Sequence, residues 1–139
     1  MMDKHLKITV KTLLLALLFA SLAGCTPEGD DDFSLPRDKY LGEWFCQDSD
    51  MAGYYATISS DPSNSTRVII QNYFDLKGTV TAYVTEGTIT VDNQVMQGIS
   101  GTFRCEGIGS LTKKGNSYVI YWKPYIANDD EITSTYTKQ

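Results

Sequence analysis

Apolar and polar residues alternate with a period of two along most of the chain after Tyr40. Successive side chains of a β-strand point to opposite faces, so this pattern predicts strands that each bury one face. Turn-forming residues such as Glu86-Gly87 interrupt the alternation at short intervals, which is typical of a sandwich or barrel. The pattern predicts eight strands: Leu41–Gln47, Gly53–Ser59, Arg67–Tyr73, Gly78–Thr85, Thr88–Asp92, Gly101–Gly107, Ser117–Tyr125 and Ile132–Lys138.

The arrangement of these strands predicts an all-β domain. No stretch after Tyr40 keeps the apolar spacing that an amphipathic helix needs. Because the connections are short, each strand is expected to pair with the next one in the chain. Eight strands paired in this way can close on themselves and leave no exposed edge. We therefore expect an antiparallel meander β-barrel of about eight strands over residues 39–139.

The alternation also assigns side chains to the two faces of the sheet. Trp44 falls on the buried face of the first predicted strand. The segment Ser117–Tyr125 is apolar on both faces, so its alternation is weak. We interpret Tyr121 as pointing inward, and Ile120 and Trp122 as pointing outward.

The first 24 residues have the character of a signal peptide. A positively charged start is followed by the uncharged stretch Leu13–Ala23, which is too short to cross a bilayer as a helix. The stretch ends in Leu22-Ala23-Gly24-Cys25, which resembles the lipobox of bacterial lipoproteins. That resemblance implies cleavage before Cys25, acylation of this cysteine and attachment to a membrane through its acyl chains. An uncleaved membrane anchor is the alternative interpretation.

Residues 25–38 are predicted to be a flexible acidic tether. Glu28, Gly29 and the run Asp30–Asp32 cannot bury apolar surface. One interpretation is a spacer that repels anionic head groups. The other is that the segment resembles the acidic export tag of Bacteroidota surface lipoproteins, which implies an outer-membrane protein exposed at the cell surface. The periplasmic face is the alternative location.

Charge and histidine content exclude several functions. The chain has 12 basic and 17 acidic residues, a formal charge of −5, which argues against nucleic-acid binding. Its one histidine, His5, lies in the predicted signal peptide, so the mature chain cannot build a Ser-His-Asp triad or a histidine-ligated zinc site. Paired carboxylates among Glu43, Glu86 and Glu106 are the remaining catalytic option. Because these acids are predicted to face solvent, we expect a protein that is not an enzyme.

Two acidic groups offer oxygen ligands for calcium, namely Asp48-x-Asp50 and Asn128-Asp129-Asp130-Glu131. Neither has the full pattern of a calcium loop, and we interpret both as solvated turns. The sequence therefore predicts no metal site and no cofactor.

Two cysteines, Cys46 and Cys105, remain beyond the predicted lipidation site. The compartments outside the inner membrane are oxidising, which favours a disulfide between them. Two separate buried thiols that behave as small apolar side chains are the alternative.

Three segments carry a resemblance to a known family. Tyr40-Leu41-Gly42-Glu43-Trp44 resembles the Gly-x-Trp opening strand of lipocalins. Residues 60–70 and 135–138 resemble a recurring hairpin and the last strand of small lipocalin-like lipoproteins of Bacteroidota. The resemblance implies a lipocalin-like barrel with Trp44 at its closed end. The chain is shorter than full-size lipocalins.

Two functions follow from these features. In the first, the mouth of the barrel binds a small hydrophobic ligand, with lining residues Trp44, Tyr54, Phe74, Phe103, Tyr121 and Tyr136. In the second, the barrel is solid and engages an envelope protein or a glycan through an outer aromatic patch of Tyr83, Ile120 and Trp122.

Overall fold

The structure is a computed structural model that describes residues 35–49, 51–126 and 132–139. The predicted signal peptide, the lipidation site Cys25 and most of the predicted tether lie outside the described residues. The described part contains a first 3₁₀ helix Pro36–Lys39, β1 Gly42–Asp48, β2 Tyr54–Ser60, β3 Arg67–Gln71, a second 3₁₀ helix Tyr73–Asp75, β4 Thr79–Val84, β5 Thr88–Gly98, β6 Gly101–Lys114, β7 Ser117–Ile126 and β8 Ser134–Lys138. Across these ranges, we find no helix with the length and apolar character that crossing a bilayer would require.

The eight strands form a closed barrel. Each strand pairs antiparallel with the next, and β8 pairs back with β1. In that closing pair Cys46 lies opposite Tyr136, and Asp48 lies opposite Ser134. The predicted antiparallel meander barrel of eight strands is therefore confirmed.

The folded domain begins before the end of the predicted tether 25–38. The first 3₁₀ helix starts at Pro36, whose fixed φ suits the first helical position. Arg37 Nη1 donates hydrogen bonds to the carbonyl oxygens of Asp61 and Asn64, both at 3.0 Å. These contacts attach the helix to the β2–β3 connection.

β5 is longer than predicted because a bulge interrupts its alternation, and β6 also extends beyond its predicted end. The register between them shifts between Val91 and Gln94, so Asp92 and Asn93 read as a turn in the sequence although the strand continues. At the bulge, the backbone of β4 forms hydrogen bonds with the Gln94 side chain instead of with the backbone of β5. Its Oε1 accepts from the Thr81 N–H at 2.9 Å, and its Nε2 donates to the Thr81 carbonyl at 2.8 Å.

Aromatic side chains fill the barrel interior. The buried aromatic residues are Tyr40, Trp44, Tyr54, Tyr73, Phe74, Trp122 and Tyr136. Trp44 Nε1 donates to the Tyr40 carbonyl at 2.7 Å, which links β1 to the residue after the first 3₁₀ helix. Four edge-to-face or tilted contacts join five more rings into one chain, with centroid distances of 4.6 to 6.3 Å. In order, the rings are those of Tyr54, Tyr136, Trp122, Tyr73 and Phe74.

The prediction for the two faces of β7 was wrong. Ile120 and Trp122 are buried in the core, and Trp122 is only 2% exposed, whereas Tyr121 is 46% exposed on the outer face. Because β7 is apolar on both faces, its own alternation cannot distinguish inside from outside. The pairing decides the orientation, since Ile120 lies opposite the inward-facing Tyr136 of β8.

Candidate functional site

A groove of about 870 Å³ lies along the outer face of β5 to β8, a volume within the usual range of small-molecule sites. We call it the outer groove. Its lining residues are Thr90, Val91, Asp92, Asn93, Glu106, Gly107, Ile108, Ser110, Tyr121, Trp122, Lys123, Thr133, Ser134 and Thr135. The groove crosses the strands at the bulge in β5.

The apolar part of the outer groove comes from two exposed side chains. Ile108 on β6 is 57% exposed, and Tyr121 on β7 is 46% exposed. Ile108 lies opposite Lys123, two positions along β7 from Tyr121, so the two apolar side chains are diagonal neighbours on one face. Such large apolar side chains in a concave surface are typical of a binding site.

The polar part of the groove is held in place by its own hydrogen bonds. Asn93, which the bulge places next to the groove, donates from Nδ2 to Glu106 Oε2 at 3.2 Å. Arg104 Nη1 donates to Asn93 Oδ1 at 2.8 Å. The Asn93 amide is therefore fixed between a cation and a carboxylate. Asp92 and Lys123 add a further carboxylate and an ammonium group to the lining.

The three residues of the predicted outer aromatic patch do not share the outer face of the barrel. Tyr83 is 44% exposed on the outer face of β4, but Ile120 and Trp122 point into the core. The exposed aromatic residue of the outer groove is instead Tyr121, which the alternation predicts to point inward. A one-residue shift of the alternation on β7 accounts for both errors.

The predicted ligand lining lies mostly in packed core. Trp44, Tyr54, Phe74 and Tyr136 are buried and contact other core side chains, and Phe103 is partly buried against them. Their rings occupy the space that the mouth-binding hypothesis reserved for a ligand. The outer groove, a cavity of ligand size, lies outside this packed interior.

A buried carboxylate, Asp48, lies at one end of the barrel, where the sequence predicts a solvated turn. Asp48 is 3% exposed and accepts hydrogen bonds at Oδ1 from Ser134 Oγ and from the Tyr54 hydroxyl. Burial raises the pKa of Asp48 above its ordinary value of 3.8, although both hydrogen bonds oppose this shift. A signal was present in the sequence, because Asp48 continues the inward-facing series of Trp44 and Cys46.

The pKa of Asp48 predicts how pH affects stability. A carboxyl group whose pKa is raised by folding stabilises the native state below its unfolded pKa, and this contribution is lost as pH rises through the folded pKa. Asp48→Asn removes the titration, so the stability of this variant relative to the unaltered protein should increase as pH rises above the ordinary carboxyl pKa of 3.8. Each unit of raised pKa corresponds to about 1.4 kcal/mol. Urea denaturation of both proteins at several pH values measures the difference, and a difference independent of pH would contradict the assignment.

The predicted disulfide is not formed, since Cys46 and Cys105 are both free and buried. Cys46 is on β1 and Cys105 on β6, and these strands are not neighbours in the barrel. Burial raises the pKa of Cys46 to about 12 and also raises the pKa of Cys105, so both thiols stay protonated and unreactive in the fold.

A thiol assay tests this correction. Cys46 and Cys105 should not react with a thiol reagent in the native protein, and both should react after unfolding without a reductant. A chain in which neither reacts after unfolding would show that the bridge forms after all.

Among residues 35–49, 51–126 and 132–139, no group of three or more His, Cys, Asp or Glu side chains is placed to hold a metal ion. The outer groove offers the Tyr121 ring for stacking and polar groups that can form hydrogen bonds with a ligand.

Comparisons with known proteins do not assign this chain to a family. No family model matches the chain, and neither the curated proteins nor the solved structures contain a match.

Proposed function

We propose that this protein is a lipid-anchored, non-catalytic module of the bacterial envelope that binds a glycan in the outer groove. The observation that carries the proposal is the groove itself, a cavity of about 870 Å³ beside an exposed tyrosine, on a barrel whose interior is packed with aromatic side chains.

The lining of the outer groove matches the chemistry of a sugar. A pyranose ring has an apolar face that can lie against an aromatic ring, and Tyr121 offers such a ring at 46% exposure. Sugar hydroxyl groups both donate and accept hydrogen bonds. The carboxylates of Asp92 and Glu106 accept them, while the Lys123 ammonium donates.

The polar groups around the bulge favour a glycan over a protein partner. The Asn93 amide is already oriented by Glu106 and Arg104, so binding does not have to order it. A protein interface of ordinary size would cover roughly 800 Å² on each partner, with an apolar centre. Ile108 and Tyr121 alone provide a smaller apolar area, which is flanked by charged groups.

The anchoring part of the proposal is supported by the lipobox-like sequence before Cys25. Such an anchor would hold the barrel at the envelope, where glycans are abundant. Mass spectrometry of the mature protein should find an N-terminal, acylated Cys25. An intact Met1 or a free thiol at position 25 would rule the anchor out.

A glycan array probed with the detergent-purified protein tests the binding. We expect retention on one or a few related oligosaccharides. Tyr121→Ala should weaken their binding at least tenfold, which corresponds to about 1.4 kcal/mol. Tyr83→Ala is the matched control, because Tyr83 is 44% exposed but does not line the groove.

Two outcomes would contradict the proposal. One is equal glycan binding by the two tyrosine variants. The other is no glycan retention together with cross-linking of an envelope protein at position 121, which would make the groove a protein interface.

A further inference from the structure

A second candidate site lies inside the barrel around Asp48, at the end where the second 3₁₀ helix Tyr73–Asp75 connects β3 to β4. Asp48 is buried, and its Oδ1 accepts hydrogen bonds from Ser134 and Tyr54. Its other carboxylate oxygen, Oδ2, has no hydrogen-bond partner among the described residues. A buried carboxylate oxygen without a partner is uncommon in folded proteins and calls for an explanation.

Two more unpartnered polar atoms belong to side chains in the same region. Among the described residues, the Tyr73 hydroxyl and Trp122 Nε1 are also buried without a hydrogen-bond partner. Trp122 lies opposite Ser134 in the sheet, and Ser134 lies opposite Asp48. The ring centroids of Tyr73 and Trp122 are 5.8 Å apart. The three unpartnered atoms therefore belong to one contiguous cluster, which we call the Asp48 cluster.

Aromatic rings form the walls of the Asp48 cluster. The Trp122 and Tyr136 centroids are 5.6 Å apart, and those of Tyr136 and Tyr54 are 6.3 Å apart. The Tyr54 and Tyr136 hydroxyl oxygens are 3.3 Å apart. A carboxylate with a free oxygen among aromatic rings is the combination that recognises organic cations, through an ion pair and cation–π attraction.

We infer that the Asp48 cluster is a binding site for a small organic ammonium ion. The ammonium group would lie against Asp48 Oδ2, with the rings of Tyr54, Trp122 and Tyr136 around it. The free Trp122 Nε1–H would donate to an acceptor elsewhere on the ligand. This site lies on the inner face of the sheet and the outer groove on its outer face, although Trp122 and Ser134 border both.

The second 3₁₀ helix, which we call the plug, lies at the same end of the barrel as the Asp48 cluster. Two residues of the plug itself, Tyr73 and Phe74, have buried side chains, and their ring centroids are 4.6 Å apart. Phe74 and Asp75 in the plug, and Asn72 and Lys77 beside it, all have φ between 55° and 63°. Non-glycine residues rarely adopt this conformation, and such strain often marks sites that move or bind ligands.

Two hydrogen bonds involving residues beside the plug tie this segment to neighbouring strands, while its own Tyr73 and Phe74 side chains pack in the core. Asn72 Nδ2 donates to the Tyr55 carbonyl at 2.7 Å, and the Ile99 N–H donates to the Leu76 carbonyl at 2.8 Å. Displacing the plug would remove Phe74 from the interior and relieve the left-handed backbone. We therefore assign the plug the role of a lid that opens to admit the cation.

Titration of the detergent-purified protein with benzylammonium, followed by NMR of the indole N–H groups, tests this site. Trp122 should show a saturable shift. Trp44 should not, because its N–H is bound to the Tyr40 carbonyl in a different part of the core. Benzyl alcohol has a similar shape without the charge and should bind at least tenfold more weakly.

Three variants complete the test. Asp48→Asn should abolish the benzylammonium shift. Phe74→Ala should tighten binding about tenfold by opening the entrance, whereas Phe45→Ala, which removes an aromatic ring that packs against Tyr55, should leave it unchanged.

The inference is overturned if the unaltered protein and Phe74→Ala both show no shift at Trp122. It is also overturned if benzyl alcohol binds as well as benzylammonium. The second comparison needs no variant, so it decides the question even if Asp48→Asn does not fold.

Discussion

Trp122→Ala is expected to lower the free energy of unfolding by about 3–5 kcal/mol, the cost typical of removing a large aromatic side chain from a core. Trp122 is 2% exposed and contacts the rings of both Tyr73 and Tyr136. Its removal would leave a cavity at the centre of the ring chain. Because small domains are stable by only about 5–15 kcal/mol, the variant should be close to unfolding at 37 °C.

Tyr121→Ala is the matched control for this prediction, since Tyr121 is the next residue on the same strand. Its side chain is 46% exposed, so the variant should change stability by no more than about 0.5 kcal/mol. Urea denaturation followed by circular dichroism measures both variants. The opposite result, a large loss for Tyr121→Ala and a small one for Trp122→Ala, would mean that the face assignment of β7 is inverted.

Gly109→Ala is expected to destabilise the barrel by about 1–3 kcal/mol through overpacking. A Cβ atom at Gly109 would lie 2.7 Å from Ile120 Cγ2 and 2.8 Å from Ile89 Cγ2, and 3.1 Å from Trp122 Cδ2. Glycine on β6 thus lets core side chains of β5 and β7 pack over its backbone. Real Cβ contacts are longer than these, so the neighbours must move.

Gly87→Ala provides the comparison for the glycine prediction. A Cβ at Gly87, in the β4–β5 turn, would meet nothing within 4 Å. This variant should unfold at nearly the same urea concentration as the unaltered protein. If Gly109→Ala also left the unfolding midpoint unchanged, Ile89 and Ile120 could not pack as closely over β6 as the structure shows.

The fold could be predicted from local signals that agree with one another. Alternation in segments such as Thr79–Val84, together with turn residues such as Glu86-Gly87, specifies both the strands and their short connections. A meander order follows from short connections, and closure follows from the number of strands. The structure confirms each of these steps.

The features that could not be predicted depend on contacts between distant parts of the chain. The two apolar faces of β7 are distinguished only by its partners, so Tyr121 and Trp122 were assigned to the wrong sides. The bulge at Asp92-Asn93 has the composition of a turn, and Gln94 marks it as a strand only through its bonds to Thr81. The outer groove depends on both features and was therefore not visible in the sequence.

The candidate interior site shows the same limitation. The alternation puts Asp48 on the same face as Trp44 and Cys46, but its burial depends on the pairing of β1 with β8, which places it beside Ser134. Its burial is a consequence of barrel closure, because an open sheet would leave the end of β1 in solvent.

Hydroxyl-radical footprinting of the intact protein, with and without the glycan retained on the array, tests the central claim that the glycan binds in the outer groove. We predict that Tyr121 and Ile108 are oxidised in the free protein and protected by the glycan, while Trp122 and Tyr136 react in neither state. Oxidation of Trp122 in the free protein, or glycan protection confined to interior residues, would contradict the account.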